Sequence, residues 1–155
     1  MSVSDRLREL GLRLPAVALP VANYVPAVRH GDFVWTSGQL PVVDGALPVT
    51  GKVGEGDGLV TPQQAQELAR TAALNGLAAI AATVGNLDVV VRVVKVVGYV
   101  ASDPSFTGQP GVVNGASDLL GEVFGEAGLH ARSAVGVSAL PLDAPVEIEL
   151  VVALR

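Results

Sequence analysis

The C-terminal part of the chain contains Ala131-Arg132-Ser133-Ala134-Val135-Gly136-Val137, followed after a Pro-Leu-Asp-Ala-Pro break by Val146-Glu147-Ile148-Glu149-Leu150. The first run is small and apolar except for Arg132, and in the second run two glutamates alternate with apolar residues. Because side chains alternate between the two faces of a strand, Glu147 and Glu149 should share one face. The two runs predict neighbouring closing strands that carry a cation and two carboxylates, which is a candidate site.

Length and composition indicate a single domain over residues 1–155. A chain of this size can bury most of its unfolded surface without disulfides or bound metals. Half of the residues are hydrophobic but only 4% are aromatic, so valine, alanine and leucine must build the core. The many β-branched valines favour strands.

Charge and residue usage argue against several classes of function. The net charge is −5, and Lys52 and Lys95 are the only lysines, so the chain lacks the basic cluster that nucleic-acid binding requires. There are no cysteines, and neither His30 nor His130 has a second histidine at helical spacing, so we expect no metal site. No apolar run approaches the roughly 20 residues of a membrane span, which predicts a cytoplasmic protein without membrane contact.

Turn and capping residues divide the first part of the chain. Residues 1–20 predict a short helix capped by Ser4 and then a proline-punctuated extended appendage. A strand over 24–28, a tight turn and a strand over 33–37 predict a β-hairpin. Residues 42–60 are glycine-rich and predict an excursion of short strands and turns.

Two helices and a long strand follow. Thr61-Pro62-Gln63-Gln64 combines an N-cap threonine, a proline at the first helical position and a glutamine at the capping-box position. A long helix should therefore start there and end at Gly85-Asn86. The β-branched run over 89–100 predicts a mostly buried strand, and a second helix should run from about Val113 to Phe124.

The predicted order of elements, β-β-α-β-α-β-β, fits an α+β sandwich in which one mixed sheet carries both helices on one face. The other face of the sheet would then be bare, although the strands over 89–100 and 133–139 are strongly apolar. We therefore expect a homo-oligomer in which the bare faces are covered.

The predicted distance between Arg132 and Glu147 also favours a homo-oligomer. If the last two strands form a hairpin, Glu147 lies opposite Ser138 and Arg132 lies opposite Ala153, which puts about 20 Å between the two charges along the ribbon. They could then share a site only across subunits. The alternative is two unrelated surface charges, with Arg132 held in a structural ion pair.

Two stretches of the chain carry a resemblance to a known family. The first is Phe33-Val34-Trp35-Thr36-Ser37-Gly38-Gln39-Leu40-Pro41 with Tyr24-Val25 before it, and the second is Ala131-Arg132-Ser133-Ala134-Val135 with Leu140-Pro141 and Val146-Glu147-Ile148-Glu149 after it. They resemble the first hairpin and the C-terminal signature of the Rid family of reactive-intermediate deaminases (YjgF/YER057c/UK114), formerly labelled endoribonuclease L-PSP or translation inhibitors. The N-terminal helix and the glycine-rich excursion resemble a longer branch of that family.

The resemblance implies a chorismate-mutase-like fold of the bacillus type, a homotrimer, and small-molecule clefts between subunits. In that family the arginine matching Arg132 binds the substrate carboxylate, and the glutamate matching Glu147 positions the attacking water. Asn114 is the asparagine nearest to a further family position, whereas alignment from Phe124 puts Ser117 there. The substrate-binding positions that the resemblance implies are Tyr24, Ser37, Gly38, Arg132, Ala134 and Asn114.

The activity that the resemblance implies is hydrolytic deamination of enamine and imine acids such as 2-aminoacrylate to 2-oxo acids and ammonia, as in 2-iminobutanoate/2-iminopropanoate deaminases. Pyridoxal-phosphate enzymes release such substrates, and no cofactor is needed because the imine is already electrophilic. A guanidinium can hold the carboxylate bidentately while a glutamate takes the proton of the attacking water. The alternatives are a non-catalytic trimer that binds small carboxylates and, disfavoured by the acidic charge, an RNA-cleaving protein or translation inhibitor.

Overall fold

A computed structural model describes residues 1–20 and 22–155, and within them it contains three α-helices and five strands. The helices are α1 (Val3–Glu9), α2 (Pro62–Val84) and α3 (Gln109–Phe124). The strands are β1 (Ala27–His30), β2 (Phe33–Thr36), β3 (Val90–Ala101), β4 (Ala131–Val137) and β5 (Val146–Leu154). None of the described helices is long and apolar enough to cross a membrane.

The five strands form one mixed sheet in the order β1-β2-β5-β3-β4. Neighbouring strands are antiparallel except β3 and β4, which are parallel. Helices α2 and α3 pack against each other and against the same face of the sheet, where α2 covers β5 and α3 covers β3. The predicted α+β sandwich and its order of elements are confirmed.

The predicted hairpin between the two closing strands is wrong. Strand β3 lies between β4 and β5, so Glu147 pairs with Tyr99 and Arg132 pairs with Val96. The reason is that α3 connects β3 to β4 as a crossover, which returns the chain parallel to β3 and adds β4 at the outer edge of the sheet. Strand β5 then pairs on the other side of β3.

The element boundaries follow the capping chemistry. The capping box of Thr61 and Gln64 starts α2 as predicted, and Gly85 ends it with φ of 97°, a conformation that glycine adopts without strain. Helix α1 is capped by Ser2 and not by Ser4, whose side chain instead bonds Asp88. Helix α3 begins four residues before the predicted start, because Pro110 occupies its first turn, and β1 lies over 27–30 rather than 24–28.

The two faces of the sheet differ in their environment. The inward face and the helices form a cluster of buried apolar residues that includes Leu7 of α1. On the opposite face large apolar side chains remain accessible, with Trp35 43% exposed and Val135 44% exposed. Large apolar side chains on this face are therefore left uncovered by the described part of this chain.

Candidate functional site

Glu147 lies in a pocket of about 80 Å³ at the N-terminal end of β5. Two of the residues predicted for the substrate cleft, Tyr24 and Gly38, line the same pocket. The rest of the wall is mostly apolar and includes Leu19, Pro26, Leu40, Val42, Pro141 and Leu142. The half-buried carboxylate of Glu147 is thus a charged group in a mostly apolar pocket.

The segment after β2 places Gly38 against Glu147. Gln39 continues the pairing with β5, since its N–H donates to the Ile148 carbonyl at 2.7 Å and its carbonyl accepts from Ile148 N–H at 3.0 Å. The buried side chain of Asn75 in α2 donates to the carbonyls of Leu40 and Val42 at 2.9 and 3.0 Å. These bonds fix the wall of the pocket to both the sheet and the helix.

Two glutamates and a tyrosine form a cluster on the open face of the sheet. Glu147 and Glu149 share that face, as their spacing predicted, and the Tyr99 hydroxyl donates to Glu149 Oε1 at 3.0 Å. Burial raises the pKa of Glu147, and the neighbouring charge of Glu149 raises it further. Burial, the bond to Glu149 and the two carboxylate charges raise the pKa of Tyr99 as well.

Arg132 lies on the opposite, helix-covered face of the sheet. Its Nη1 donates to Asn114 Oδ1 at 2.7 Å and to Ser117 Oγ at 3.2 Å, and its Nη2 donates to the Pro110 carbonyl at 3.2 Å. All three acceptors are neutral, and no carboxylate of the described residues forms an ion pair with Arg132. The structural ion pair considered as an alternative is therefore not formed within the described chain.

His130 belongs to the same group of side chains, which the sequence did not reveal. Its Nε2 lies 2.9 Å from Ser117 Oγ, and its Nδ1 lies 2.6 Å from the Gly128 carbonyl oxygen. Ser117, His130 and Arg132 line one open groove of about 620 Å³ beside α3. Ser117 lies in α3, His130 immediately precedes β4 and Arg132 lies within β4, so no local motif could identify the network.

The remaining predicted residues lie in different places. Asn114 and Ser117, the two alternatives for one family position, both contact Arg132. Ser37 donates to the Val25 carbonyl at 2.6 Å and so closes the base of the β1–β2 hairpin. Ala134 packs against the apolar core. Among the described residues no group of three His, Asp or Glu side chains could hold a metal ion.

The sheet separates Arg132 from Glu147 within one chain. Arg132 pairs with Val96, which pairs with Leu150, three positions along β5 from Glu147. The two backbones are therefore roughly 10 Å apart along the strands and roughly 10 Å apart across them. Their side chains also leave opposite faces, so a single chain does not bring both charges to one small ligand.

Comparisons with known proteins identify relatives over almost the whole chain. Residues 4–154 match the family model described as "YjgF/chorismate_mutase-like, putative endoribonuclease". Protein TCP17 of Trypanosoma cruzi is 46% identical over 99% of this chain and 94% of its own length. The crystal structure of Atu1372 from Agrobacterium tumefaciens, of unknown function, is 44% identical with a TM-score of 0.87 over 99% of this chain and 92% of its own. The structure of E. coli TdcF with bound serine is 26% identical with a TM-score of 0.62 over 90% and 93% of the two chains.

Proposed function

The chain belongs to the YjgF/chorismate-mutase-like family, and from that premise and the geometry of its charged residues we propose that it hydrolyses small enamine and imine acids to 2-oxo acids and ammonia. The observation that carries the proposal concerns two charged residues on opposite faces of one sheet: Arg132 has no carboxylate partner among the described residues, and Glu147 has a raised pKa. A site that uses both requires a second copy of the chain.

Arg132 is proposed to bind the substrate carboxylate. Three neutral acceptors fix its guanidinium without neutralising its charge, which leaves the positive charge available to an anion. A guanidinium matches the two oxygens of a carboxylate with two parallel hydrogen bonds and thereby orients the adjacent C=N carbon. TdcF, whose structure contains bound serine, is a relative that holds a small molecule with such a carboxylate.

Glu147 is proposed to position and deprotonate the attacking water. Its raised pKa makes the carboxylate a stronger base than an exposed glutamate. The water adds to the imine carbon, the resulting carbinolamine loses ammonia, and a 2-oxo acid remains. The mostly apolar wall around Glu147 suits a substrate with a hydrogen or a short aliphatic side chain.

The proposed oligomer is a homotrimer in which sheets pack through their open faces. The exposed apolar residues on that face, Val28, Phe33, Trp35 and Val135 among them, are the surface that such packing would cover. Each interface would bring the Arg132 edge of one subunit towards the Glu147 pocket of the next. The proposed metabolic setting is alongside pyridoxal-phosphate enzymes that release enamine acids.

A coupled assay tests the proposal. A serine dehydratase generates 2-aminoacrylate, and addition of the protein should accelerate pyruvate and ammonia release beyond the spontaneous rate. The Arg132→Ala variant should lose this acceleration, because it removes the carboxylate contact. An Arg132→Ala variant as active as the parent would refute the proposal.

The same protein samples separate the catalytic proposal from a non-catalytic role. Calorimetry with pyruvate measures carboxylate binding independently of turnover. Pyruvate binding that depends on Arg132, without any acceleration of imine hydrolysis, would instead support a trimer that only binds small carboxylates.

A further inference from the structure

We propose that His130 is a positioning residue that acts through Ser117 to hold the guanidinium of Arg132 in the orientation that receives a carboxylate. This inference rests on the proposed role of Arg132 and adds roles for the side chains of Ser117 and His130. It starts from an unbroken chain of hydrogen bonds that runs from the Gly128 carbonyl through His130 and Ser117 to Arg132.

The chemistry of the groups fixes the direction of each bond. A guanidinium only donates, so Arg132 Nη1–H donates to Ser117 Oγ at 3.2 Å. A backbone carbonyl only accepts, so His130 Nδ1–H donates to the Gly128 oxygen at 2.6 Å. In a neutral imidazole Nε2 is then an acceptor, and the Ser117 hydroxyl donates to it at 2.9 Å. The geometry therefore assigns His130 the tautomer with hydrogen on Nδ1.

The direction of the hydrogen bond from Ser117 to His130 matters because it leaves the Ser117 oxygen as an acceptor for Arg132. The hydroxyl hydrogen is committed to His130, so an oxygen lone pair remains for Nη1. Without His130 the hydroxyl is free to turn its hydrogen towards the groove or towards Arg132, and the bond to Nη1 loses its fixed geometry. The side chain of His130 thus determines the rotational state of Ser117.

The result is a guanidinium with one edge left for a ligand. Nη1 uses its two hydrogens on Asn114 and Ser117, and Nη2 uses one on the Pro110 carbonyl. Among the described residues, Nε–H and the other Nη2–H have no partner. We infer that the Pro110 carbonyl accepts the Nη2–H on the Nη1 side, which leaves Nε–H and the Nη2–H beside it as the parallel pair that a carboxylate accepts. The open groove lined by Arg132, Ser117 and His130 gives this edge access to solvent and to a neighbouring subunit.

Pyruvate affinity, measured by calorimetry on the parent protein and its variants, tests the inference without relying on turnover. The Ser117→Ala and His130→Ala variants should each bind pyruvate about three- to tenfold more weakly, the loss expected from one well-placed hydrogen bond. His130→Gln should stay within about twofold of the parent, since its amide oxygen can accept from Ser117 where Nε2 does. Gly111→Ala is the matched control, because Gly111 lies on the same helix outside this groove and a Cβ there meets nothing within 4 Å.

Two further readouts distinguish positioning from a general effect on the fold. The double variant Ser117→Ala/His130→Ala should bind pyruvate no more weakly than Ser117→Ala alone, because both changes break one chain, whereas independent effects would add. Nitrogen-15 NMR of labelled histidine should show the Nδ1–H tautomer of His130 in the parent.

Unchanged pyruvate affinity in His130→Ala, additive losses in the double variant, or an Nε2–H tautomer would overturn the positioning role while leaving the proposed function of Arg132 intact. A nucleophile and its base are the competing role for a serine–histidine pair, and covalent labelling of Ser117 by a fluorophosphonate would also overturn it. Absence of pyruvate binding by the parent protein would overturn both this inference and the carboxylate role of Arg132.

Discussion

The carboxyl group of Glu147 packs directly against the backbone of Gly38. A Cβ atom at position 38 would lie 2.6 Å from Cδ and 2.9 Å from Oε1 of Glu147, which is closer than such atoms approach in proteins. Gly38 is required here for space and not for an unusual backbone angle, since its φ is not in the left-handed region. Gly38, two residues after the end of β2, thus sets where the carboxylate of Glu147 can lie.

Gly38→Ala should therefore impair activity far more than stability. The long side chain of Glu147 can turn away from the added methyl group, so we expect the free energy of unfolding to change by less than about 1 kcal/mol. Displacement of the Glu147 carboxylate should lower kcat/KM by about 10- to 100-fold, the loss expected when a catalytic group moves by about 1 Å.

Thermal melting and the coupled imine assay measure the two effects of Gly38→Ala. Gly111→Ala is the control, because a Cβ there meets nothing within 4 Å. Full activity in Gly38→Ala would show that the position of Glu147 seen here does not matter for the reaction.

The pH dependence of the reaction should respond to Glu149. Glu147 acts in its deprotonated form, so kcat/KM falls as the pH drops through the raised pKa of Glu147. The Glu149→Gln change removes the neighbouring negative charge and lowers the pKa of Glu147, which should move this acid limb to lower pH. Burial is the larger cause of the raised pKa and persists in the variant, so the limb should move only part of the way towards that of an exposed glutamate.

The pH profile of kcat/KM, corrected for spontaneous hydrolysis, measures this effect. The amide oxygen of the substituted glutamine can still accept from Tyr99, so the local bond is retained while the charge is lost. Glu126→Gln, a charge change at an exposed position after α3, is the control. An acid limb that stays fixed in Glu149→Gln would rule out Glu147 as the titrating base.

Substrate choice should follow the apolar wall of the Glu147 pocket. The imines of alanine and 2-aminobutanoate have small apolar side chains that fit a cavity of about 80 Å³ lined mainly by apolar residues. The imine of aspartate would place a second carboxylate beside Glu147, where burial without a partner is unfavourable. We expect kcat/KM for the aspartate imine to be at least about 100-fold lower, since an unpaired buried charge costs several kcal/mol.

Competing turnover of imines generated by an amino-acid oxidase measures this preference. Equal rates for the alanine and aspartate imines would contradict the assignment of this pocket to the substrate side chain.

Local sequence patterns sufficed for much of the fold. The capping box at Thr61 is encoded within four residues, and the alternation of Glu147 and Glu149 with apolar neighbours fixes their shared face. The strand order could not be predicted from local sequence. Nothing in the run over 131–137 indicates whether β3 or β5 pairs with it. The pairing follows from the connection through α3. A strand–helix–strand connection commonly places its two strands parallel in one sheet, which would have favoured β3 as the neighbour of β4.

The site was predictable where a single charge interrupts an apolar run. Arg132 stands out in this way, and Glu147 stands out as one of two alternating glutamates, whereas His130 has no distinguishing pattern until the fold brings it to 2.9 Å from Ser117. The pocket wall formed by Leu19 and Leu142 was also missed, because apolar residues in irregular segments follow no period that indicates which surface they cover.

The proposed function depends above all on Arg132 of one chain and Glu147 of another forming one site, and mixed oligomers test this requirement. Arg132→Ala and Glu147→Gln homo-oligomers should each be inactive in the coupled imine assay. When the two variants are unfolded and refolded together in equal amounts, random assembly should give intact sites that combine Arg132 from one variant with Glu147 from the other. Such sites would be about a quarter of the total, so about a quarter of the parent activity should return. A mixed oligomer, verified with distinct tags, that stays inactive would contradict a site shared between subunits.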